Sequence, residues 1–122
     1  MPYDDQNIFA KILRAEIPCD KIYEDDFVLS FYDINPQKKI HALVIPKGKY
    51  IDLDDFNTNA SDKEIIGLMK GITAVSKKLG ISSIDGNGYR ALANISDYGG
   101  QEVPHLHFHL FGGEKVGKMV SW

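Results

Sequence analysis

The stretch His105-Leu106-His107-Phe108-His109 alternates histidine with apolar residues and holds three of the chain's four histidines. On a β-strand, successive side chains point to opposite faces of the sheet. The three imidazoles are therefore predicted to project from one face, while Leu106, Phe108 and Leu110 project from the other. Imidazole rings about 6–7 Å apart along a strand repel one another when they are protonated. A strand face that is only exposed to solvent, without a function, would therefore be expected to carry other polar residues. The run predicts a functional site.

The segments upstream of this run predict an antiparallel sheet. Apolar residues recur at helical spacing over residues 7–14, and Pro18 closes that segment. Strand patterns cover residues 21–24, 27–33, 40–45 and 89–95, with turn-forming residues between several of them. Strands joined in this way favour an antiparallel meander, and we expect a single α+β domain over residues 1–122.

The clearest helix signal lies in the middle of the chain. Ser61 and Glu64 form a capping box, an apolar face follows, and Gly80 supplies the stop. Within the helix, Gly67 and Gly71 each cost about 1 kcal/mol relative to alanine, which predicts close packing on the chain's own sheet or across a subunit interface. The acidic segment 52–62 before the helix predicts an exposed loop.

Composition limits the functional classes. A formal charge of −3 and a pI of about 5.7 disfavour a nucleic-acid-binding surface, which is usually basic. The single cysteine, Cys19, can form no intrachain disulfide and no paired-thiolate metal site. The N-terminus lacks a secretory signal pattern, and no apolar run approaches the ~20 residues of a membrane span. We therefore expect a cytoplasmic protein that does not bind a membrane.

Three histidines on one face support two kinds of chemistry. Two of them at i and i+2, with a third ligand, could form a zinc site with one open position. Alternatively, a neutral imidazole can attack phosphorus and leave again, while neighbouring rings orient it and donate hydrogen bonds to phosphoryl oxygens. Gly99 and Gly100, directly upstream, would allow backbone amides to approach a phosphate.

Several blocks of the chain, in the same order, resemble the histidine triad family, and in particular its branch of purine-nucleoside phosphoramidases. The histidine run continues as the family pattern through Phe111 and follows a typical Gly-Gly-Gln at residues 99–101. The front half agrees at residues 8–12, 16–18, 23–26, 31–37 and 41–47. The resemblance implies a HIT-like fold: a five-stranded antiparallel meander sheet, a short N-terminal helix and one longer central helix.

The resemblance also implies a role for each histidine. His107 would be the nucleophile that takes the nucleotidyl group from a purine nucleoside monophosphate carrying an amide, acyl or phosphate leaving group. His109 would contact the α-phosphate, whereas His105 and His41 would orient the nucleophile. Asp33 would accept hydrogen bonds from the ribose hydroxyls, for which a carboxylate is suited.

A wider set of residues is implied to bind the nucleotide. Asn94, Gly100 and Gln101 match positions beside the phosphate. Six apolar residues match positions that sandwich the purine base: Ile8, Phe9, Ile12, Phe31, Ile34 and Leu43. Glu102 completes the set, but it stands where this branch usually carries serine or threonine, and an ionised carboxylate repels phosphate and donates no hydrogen bond.

Three further expectations follow from the resemblance. No zinc is implied, because Ala10 stands where some members carry a cysteine, and no cofactor is expected. Relatives form homodimers in which two sheets join, which would also explain Gly67 and Gly71. The C-terminal segment 112–122, which ends in Trp122, differs from the tail that shapes substrate choice in close relatives.

These observations together predict a purine nucleoside phosphoramidase-like hydrolase that works through a covalent nucleotidyl-histidine intermediate and acts on AMP or GMP conjugates. A purine-nucleotide-binding module with little turnover, which Glu102 favours, is one alternative. A dinucleoside polyphosphate hydrolase and a metal-dependent hydrolase are the others.

Overall fold

A five-stranded antiparallel sheet and three helices make up the computed structural model, which describes residues 2–120. In chain order the elements are α1 (Ile8–Leu13), β1 (Lys21–Glu24), β2 (Val28–Tyr32), β3 (Ile40–Pro46), α2 (Leu53–Asn59), α3 (Asp62–Lys78), β4 (Arg90–Leu92) and β5 (Phe108–Gly112). Within residues 2–120, no helix has the length and apolar character needed to cross a bilayer. Trp122 lies outside the described residues.

The order of the strands in the sheet is β1-β2-β3-β5-β4. The first three strands follow one another as in a meander, as predicted. The last two do not, because β5 enters between β3 and β4 and leaves the three-residue β4 at the edge. The strand predicted over residues 89–95 is observed only over Arg90–Leu92. Because β5 is inserted, His109 lies next to the central strand β3.

The sheet separates two hydrophobic clusters. The larger cluster lies under α3 and includes Val28, Val44, Leu68 and Leu110. The smaller one lies on the α1 side of the sheet and consists of Phe9, Leu29, Phe31, Leu43 and Ile45. Alternate residues of β2 and β3 belong to different clusters, as the period of a strand requires. Both faces of the central strands are therefore buried.

The central helix begins and ends where the sequence predicts. The side chain of Ser61 accepts from the Glu64 amide, and the Glu64 side chain accepts from the Ser61 amide, which completes the capping box. A Cβ at Gly67 would lie 2.5 Å from Phe27 Cγ, and one at Gly71 would lie 2.8 Å from Val28 Cγ2. The two glycines therefore allow α3 to pack closely on the chain's own β2 end, and no subunit interface is needed to explain them.

The prediction of a loop over residues 52–62 is wrong. Asp52 caps α2 by accepting a hydrogen bond from the Asp55 amide at 2.8 Å, and Phe56 is buried in the larger cluster. Leu53 also packs against this cluster, but one i, i+3 pair is too short a pattern to reveal a helix among acidic and polar residues.

Ser30 carries an unpaired polar group in the interior of the sheet. Its hydroxyl is fully buried and has no hydrogen-bond partner among the described residues. Leaving such a group unpaired costs about 1–3 kcal/mol, so we expect Ser30→Ala to raise the free energy of unfolding by about 1 kcal/mol in urea titrations. The control is Ser76→Ala, because the equally buried Ser76 donates to Thr73 O at 2.9 Å. Equal destabilisation by both variants would contradict the prediction.

Candidate active site

The histidine run enters the sheet later than its alternation predicts. Only His109 lies within β5, whereas His105 and His107 belong to the preceding turn, in which the His105 amide donates to Val103 O. The rings nevertheless lie on one side of the sheet, since Phe9 packs edge-on against both His105 and His107. Leu106 and Leu110 are buried in the larger cluster on the other side, so the predicted division into two faces holds.

The register of β3 and β5 brings the fourth histidine into the group. Leu43 lies opposite His109, and His41 lies opposite Phe111. Residues directly opposite one another project from the same face of a sheet. His41 and His109 are therefore neighbours, and their nearest ring nitrogens, His41 Nε2 and His109 Nδ1, are 2.9 Å apart.

A backbone carbonyl determines the tautomer of His107. Its Nδ1 lies 2.8 Å from His105 O, and because a carbonyl can only accept, Nδ1 carries the proton and donates it. In the neutral ring, Nε2 then carries the lone pair. Burial lowers the pKa of His107, which favours this neutral form. His107 therefore carries a nucleophilic nitrogen, and the residue lines a cavity of about 220 Å³.

Two consecutive hydrogen bonds, through His41, determine the tautomer of His109. The Gln37 amide donates to His41 Nδ1 at 3.2 Å, so the proton of the neutral His41 ring is on Nε2. That N–H donates to His109 Nδ1, which leaves the proton of His109 on its own Nε2. Burial lowers the pKa of His41, and burial together with His107 and His41 lowers the pKa of His109 to about 4. His109 thus offers a neutral hydrogen-bond donor beside His107.

His105 contacts His107 through its backbone carbonyl rather than through its ring. The ring is fully buried, and its Nε2 lies 2.9 Å from Pro46 O, to which it donates. Its Nδ1 lies 2.6 Å from the hydroxyl of Tyr3, which donates in turn. Burial lowers the pKa of His105 to about 4. The ring anchors the turn whose carbonyl orients His107.

Tyr3 was not identified from the sequence. It is 102 residues away from His105 in the chain, and no local pattern connects the two. Tyr3→Phe removes only the hydroxyl and leaves His105 Nδ1 buried without a donor, so we expect the free energy of unfolding to fall by about 1–3 kcal/mol. The ring-nitrogen ¹⁵N shifts of His105 should change as well. The matched control is Tyr23→Phe, which removes a hydroxyl that donates to Asp25 at 2.9 Å. Identical behaviour of the two variants would contradict a positioning role.

The cavity contains part of the predicted nucleotide-binding set. It is lined by Phe9, Asp33, Asn35, Gln37, Leu43, Asn94, Gly100, Glu102, Val103, His107 and His109. Four of the six predicted base-contacting residues do not line it. Ile34 is 85% exposed and Ile8 is 40% exposed, whereas Phe31 is buried in the smaller cluster and Ile12 packs against that cluster. Val103 is an apolar lining residue that the sequence did not indicate.

The glycine loop is closed by its own hydrogen bonds. The amides of Gly100 and Gln101 donate to Asp97 O and Ser96 O, both at 3.0 Å. The Gly100 amide is therefore engaged within the loop, whereas the sequence predicts that it approaches a phosphate. Gly100 has a φ of +77°, which favours glycine. The Gln101 amide group donates to Ile51 O at 2.6 Å and does not line the cavity. Gln101 therefore braces the loop that carries Glu102.

Asp33 directly follows β2 and lies beside His41. Its Oδ1 accepts from the Asn35 amide at 2.8 Å, and its Oδ2 lies 3.4 Å from His41 Nε2. Asp33, His41 and His109 place one ligand atom each within 4.8 Å, and within residues 2–120 they form the group suited to a metal ion. A metal bound there would displace the proton that His41 Nε2 donates to His109 Nδ1. Metal binding and this hydrogen bond therefore exclude each other.

Comparison with known proteins agrees with this geometry. The HIT domain family matches residues 14–116 of the chain. A HIT-like protein of Azospirillum brasilense is 48% identical over 119 residues, covering 98% of this chain and 95% of that protein. The purine nucleoside phosphoramidase of Escherichia coli is 40% identical over 117 residues, with coverage of 96% and 95%. A HIT family hydrolase from Clostridium thermocellum superposes with a TM-score of 0.85 at 35% identity, covering 96% of this chain and 99% of that one. The chain belongs to the HIT domain family.

Proposed function

We propose that the protein is a hydrolase that cleaves purine nucleoside phosphoramidates and related AMP or GMP conjugates through a nucleotidyl intermediate on His107. The carrying observation is the hydrogen bond from His107 Nδ1 to His105 O, which leaves Nε2 as a neutral nucleophile facing the cavity. The name of the Escherichia coli relative, purine nucleoside phosphoramidase, supports such a substrate, and that of the Clostridium thermocellum relative supports hydrolysis in general.

The reaction proceeds in two displacements. His107 Nε2 attacks phosphorus, the bond from phosphorus to the leaving amine breaks, and the amine takes a proton from water at the exposed rim beside Glu102. The His109 Nε2–H donates to a phosphoryl oxygen as charge develops. A water then attacks phosphorus, the bond to Nε2 breaks, and His107 regains its lone pair while the proton of the water passes to solvent. The product is the nucleoside monophosphate.

Asp33, Phe9 and Leu43 complete the proposed nucleotide site. Asp33 lies in the cavity with a carboxylate that can accept from ribose hydroxyls, although one oxygen already accepts from the Asn35 amide. Phe9 and Leu43 supply the apolar contact for the base. Asn94 lines the same cavity near Gly100 O, where its amide can donate to a phosphate oxygen.

The test is the release of a fluorogenic amine from an adenosine phosphoramidate, measured with and without a chelator. We expect turnover that the chelator leaves unchanged, together with a nucleotide attached covalently to the protein after rapid quenching. Loss of turnover on chelation would instead favour a metal at Asp33, His41 and His109. AMP binding without turnover would favour the nucleotide-binding module.

Glu102 gives a separate prediction. It is exposed, lines the cavity and, when ionised, cannot donate a proton to the leaving group. We expect Glu102→Ser to raise the rate about tenfold on poor leaving groups and much less on good ones. The measurement is kcat/KM over a series of amines of graded basicity. A uniform effect across the series would contradict a role in leaving-group departure.

We also propose that the protein forms a homodimer. Ile66 and Met69 lie one turn apart on α3, and they are 53% and 48% exposed. Exposed apolar residues grouped on one face of a helix often mark an interaction surface. Sedimentation that detects only monomer at micromolar concentration would refute this proposal.

A further inference from the structure

The proposed nucleotide cavity contains no fixed positive charge among the residues that line it. Its charged lining residues are Asp33 and Glu102, both acidic, and no lysine or arginine joins them. His107 and His109 do not compensate, because burial lowers the pKa of each and keeps the rings neutral at pH 7. An anionic substrate therefore needs an attraction from outside this cavity.

A second cavity, of about 720 Å³, adjoins the first and shares Gln37, Asn94 and His109 with it. We call it the basic cavity, because its other lining residues include Lys38, Arg90 and Lys118 and no carboxylate among the residues that the structure describes. The remaining wall is apolar and is formed by Leu92, Phe111, Val116, Met119 and Val120. It thus combines positive charge with an apolar surface beside His109.

The three cations of the basic cavity are not neutralised by acidic partners within residues 2–120. The Arg90 guanidinium donates to Lys118 O at 2.9 Å and to Gly117 O at 2.8 Å, and these carbonyls carry no formal charge. No ion pair between the described residues involves Lys38, Arg90 or Lys118. Arg90 therefore fixes the C-terminal segment as a wall of the cavity while its charge stays available.

We propose that the basic cavity is the leaving-group subsite, and that it selects leaving groups combining an apolar body with a negative charge. This inference rests on the proposed function, because a leaving group exists only if the nucleotide conjugate is cleaved at His107. His109 lines both cavities, so a phosphorus atom held there has the nucleotide on one side and the leaving group on the other. The chain as a whole carries a formal charge of −3, so the three cations of the basic cavity form a local positive region on an acidic protein.

The test compares three AMP phosphoramidates that differ only at the para position of a benzylamine leaving group. One carries a carboxylate, one a phosphonate and one a neutral carboxamide, so the amine and the ring stay the same. We expect kcat/KM for the carboxylate to exceed that for the carboxamide by about fivefold, as for a partly exposed ion pair. High salt should reduce this ratio because it screens exposed charges. The phosphonate arm shows whether a carboxylate or a phosphate-like group fits better.

The variant for this test is the double substitution Lys38→Gln with Lys118→Gln, which keeps Arg90 and its bonds to the tail. We expect the carboxylate-to-carboxamide ratio to fall about twofold, because only the charge of Arg90 remains, while kcat/KM for the neutral conjugate changes little. The matched control is Lys115→Gln, because Lys115 lies on the same exposed tail but lines a different cavity. A ratio of one or less in the natural protein, or a ratio that the double substitution leaves unchanged, would overturn the inference.

Binding to His107→Ala separates this inference from the proposed function. This variant is measured by calorimetry with the same three conjugates, which it should bind without cleaving. Tighter binding of the anionic conjugates, lost when Lys38→Gln and Lys118→Gln are added to His107→Ala, supports binding of the negative charge in the basic cavity. If the natural protein cleaves none of the conjugates, the proposed function fails, and the leaving-group role fails with it. Equal binding of all three by a protein that cleaves them all overturns the basic cavity and leaves the phosphoramidase proposal intact.

Discussion

Replacement of His107 by alanine is expected to reduce the turnover of an adenosine phosphoramidate by at least about 10⁴-fold. His105 O holds the imidazole of His107 in the tautomer that exposes Nε2, and no other histidine presents an unpaired nitrogen in this way. His105 uses both ring nitrogens within the fold, and the hydrogen bond from His41 gives His109 a proton at its outer nitrogen. Deletion of the ring therefore removes the nucleophile.

The controls for His107→Ala distinguish chemistry from folding. AMP affinity should change little, because Asp33, Phe9 and Leu43 remain in the cavity. Added imidazole should restore part of the turnover by occupying the space that the deleted ring leaves, as rescue of a nucleophile requires. The quenched variant should carry no covalent nucleotide. A variant that retains turnover or a nucleotide adduct would show that another group attacks phosphorus.

The sequence predicts the elements of the fold better than their arrangement. Alternation and capping identify the strands and α3 because these signals depend on near neighbours in the chain. The entry of β5 between β3 and β4 depends instead on the pairing of His109 with Leu43, which are 66 residues apart. Local patterns carry no information about such pairing, and the strict meander was the simplest order that they allowed.

The candidate site shows the same limit at the level of side chains. The resemblance indicated all four histidines and Asp33, which lie close together in the structure. Only Phe9 and Leu43 of the apolar set line the cavity, and the sequence pattern of a residue such as Phe31 is the same whether it lines a cavity or fills the core. Tyr3 and Pro46 were missed because their contacts with His105 join the two ends and the middle of the chain.

The protein is expected to lose stability as the pH falls from about 6.5 to about 4, because His105 and His109 both have a pKa of about 4 in the folded state. Burial lowers the pKa of His105 to this value from an ordinary value of 6.5. The unfolded chain therefore binds a proton more tightly, so the stability is fully present above pH 6.5 and is lost as the pH falls. For His105 alone the loss is about 3 kcal/mol, which urea titrations at each pH should detect.

This pH window separates His105 from the carboxylates. Ion pairs with Lys21 and Lys47 lower the pKa of Glu24 to about 2, so its contribution is lost only below its ordinary value of 4.5. In His105→Asn, which cannot titrate, the loss between pH 6.5 and 4.5 should become smaller by the contribution of one proton. If this variant does not fold, an NMR titration of the natural protein measures the same quantity directly. A His105 ring that titrates near 6.5 would mean that burial does not hold it neutral, and the proposed anchoring of the His107 turn would fail as well.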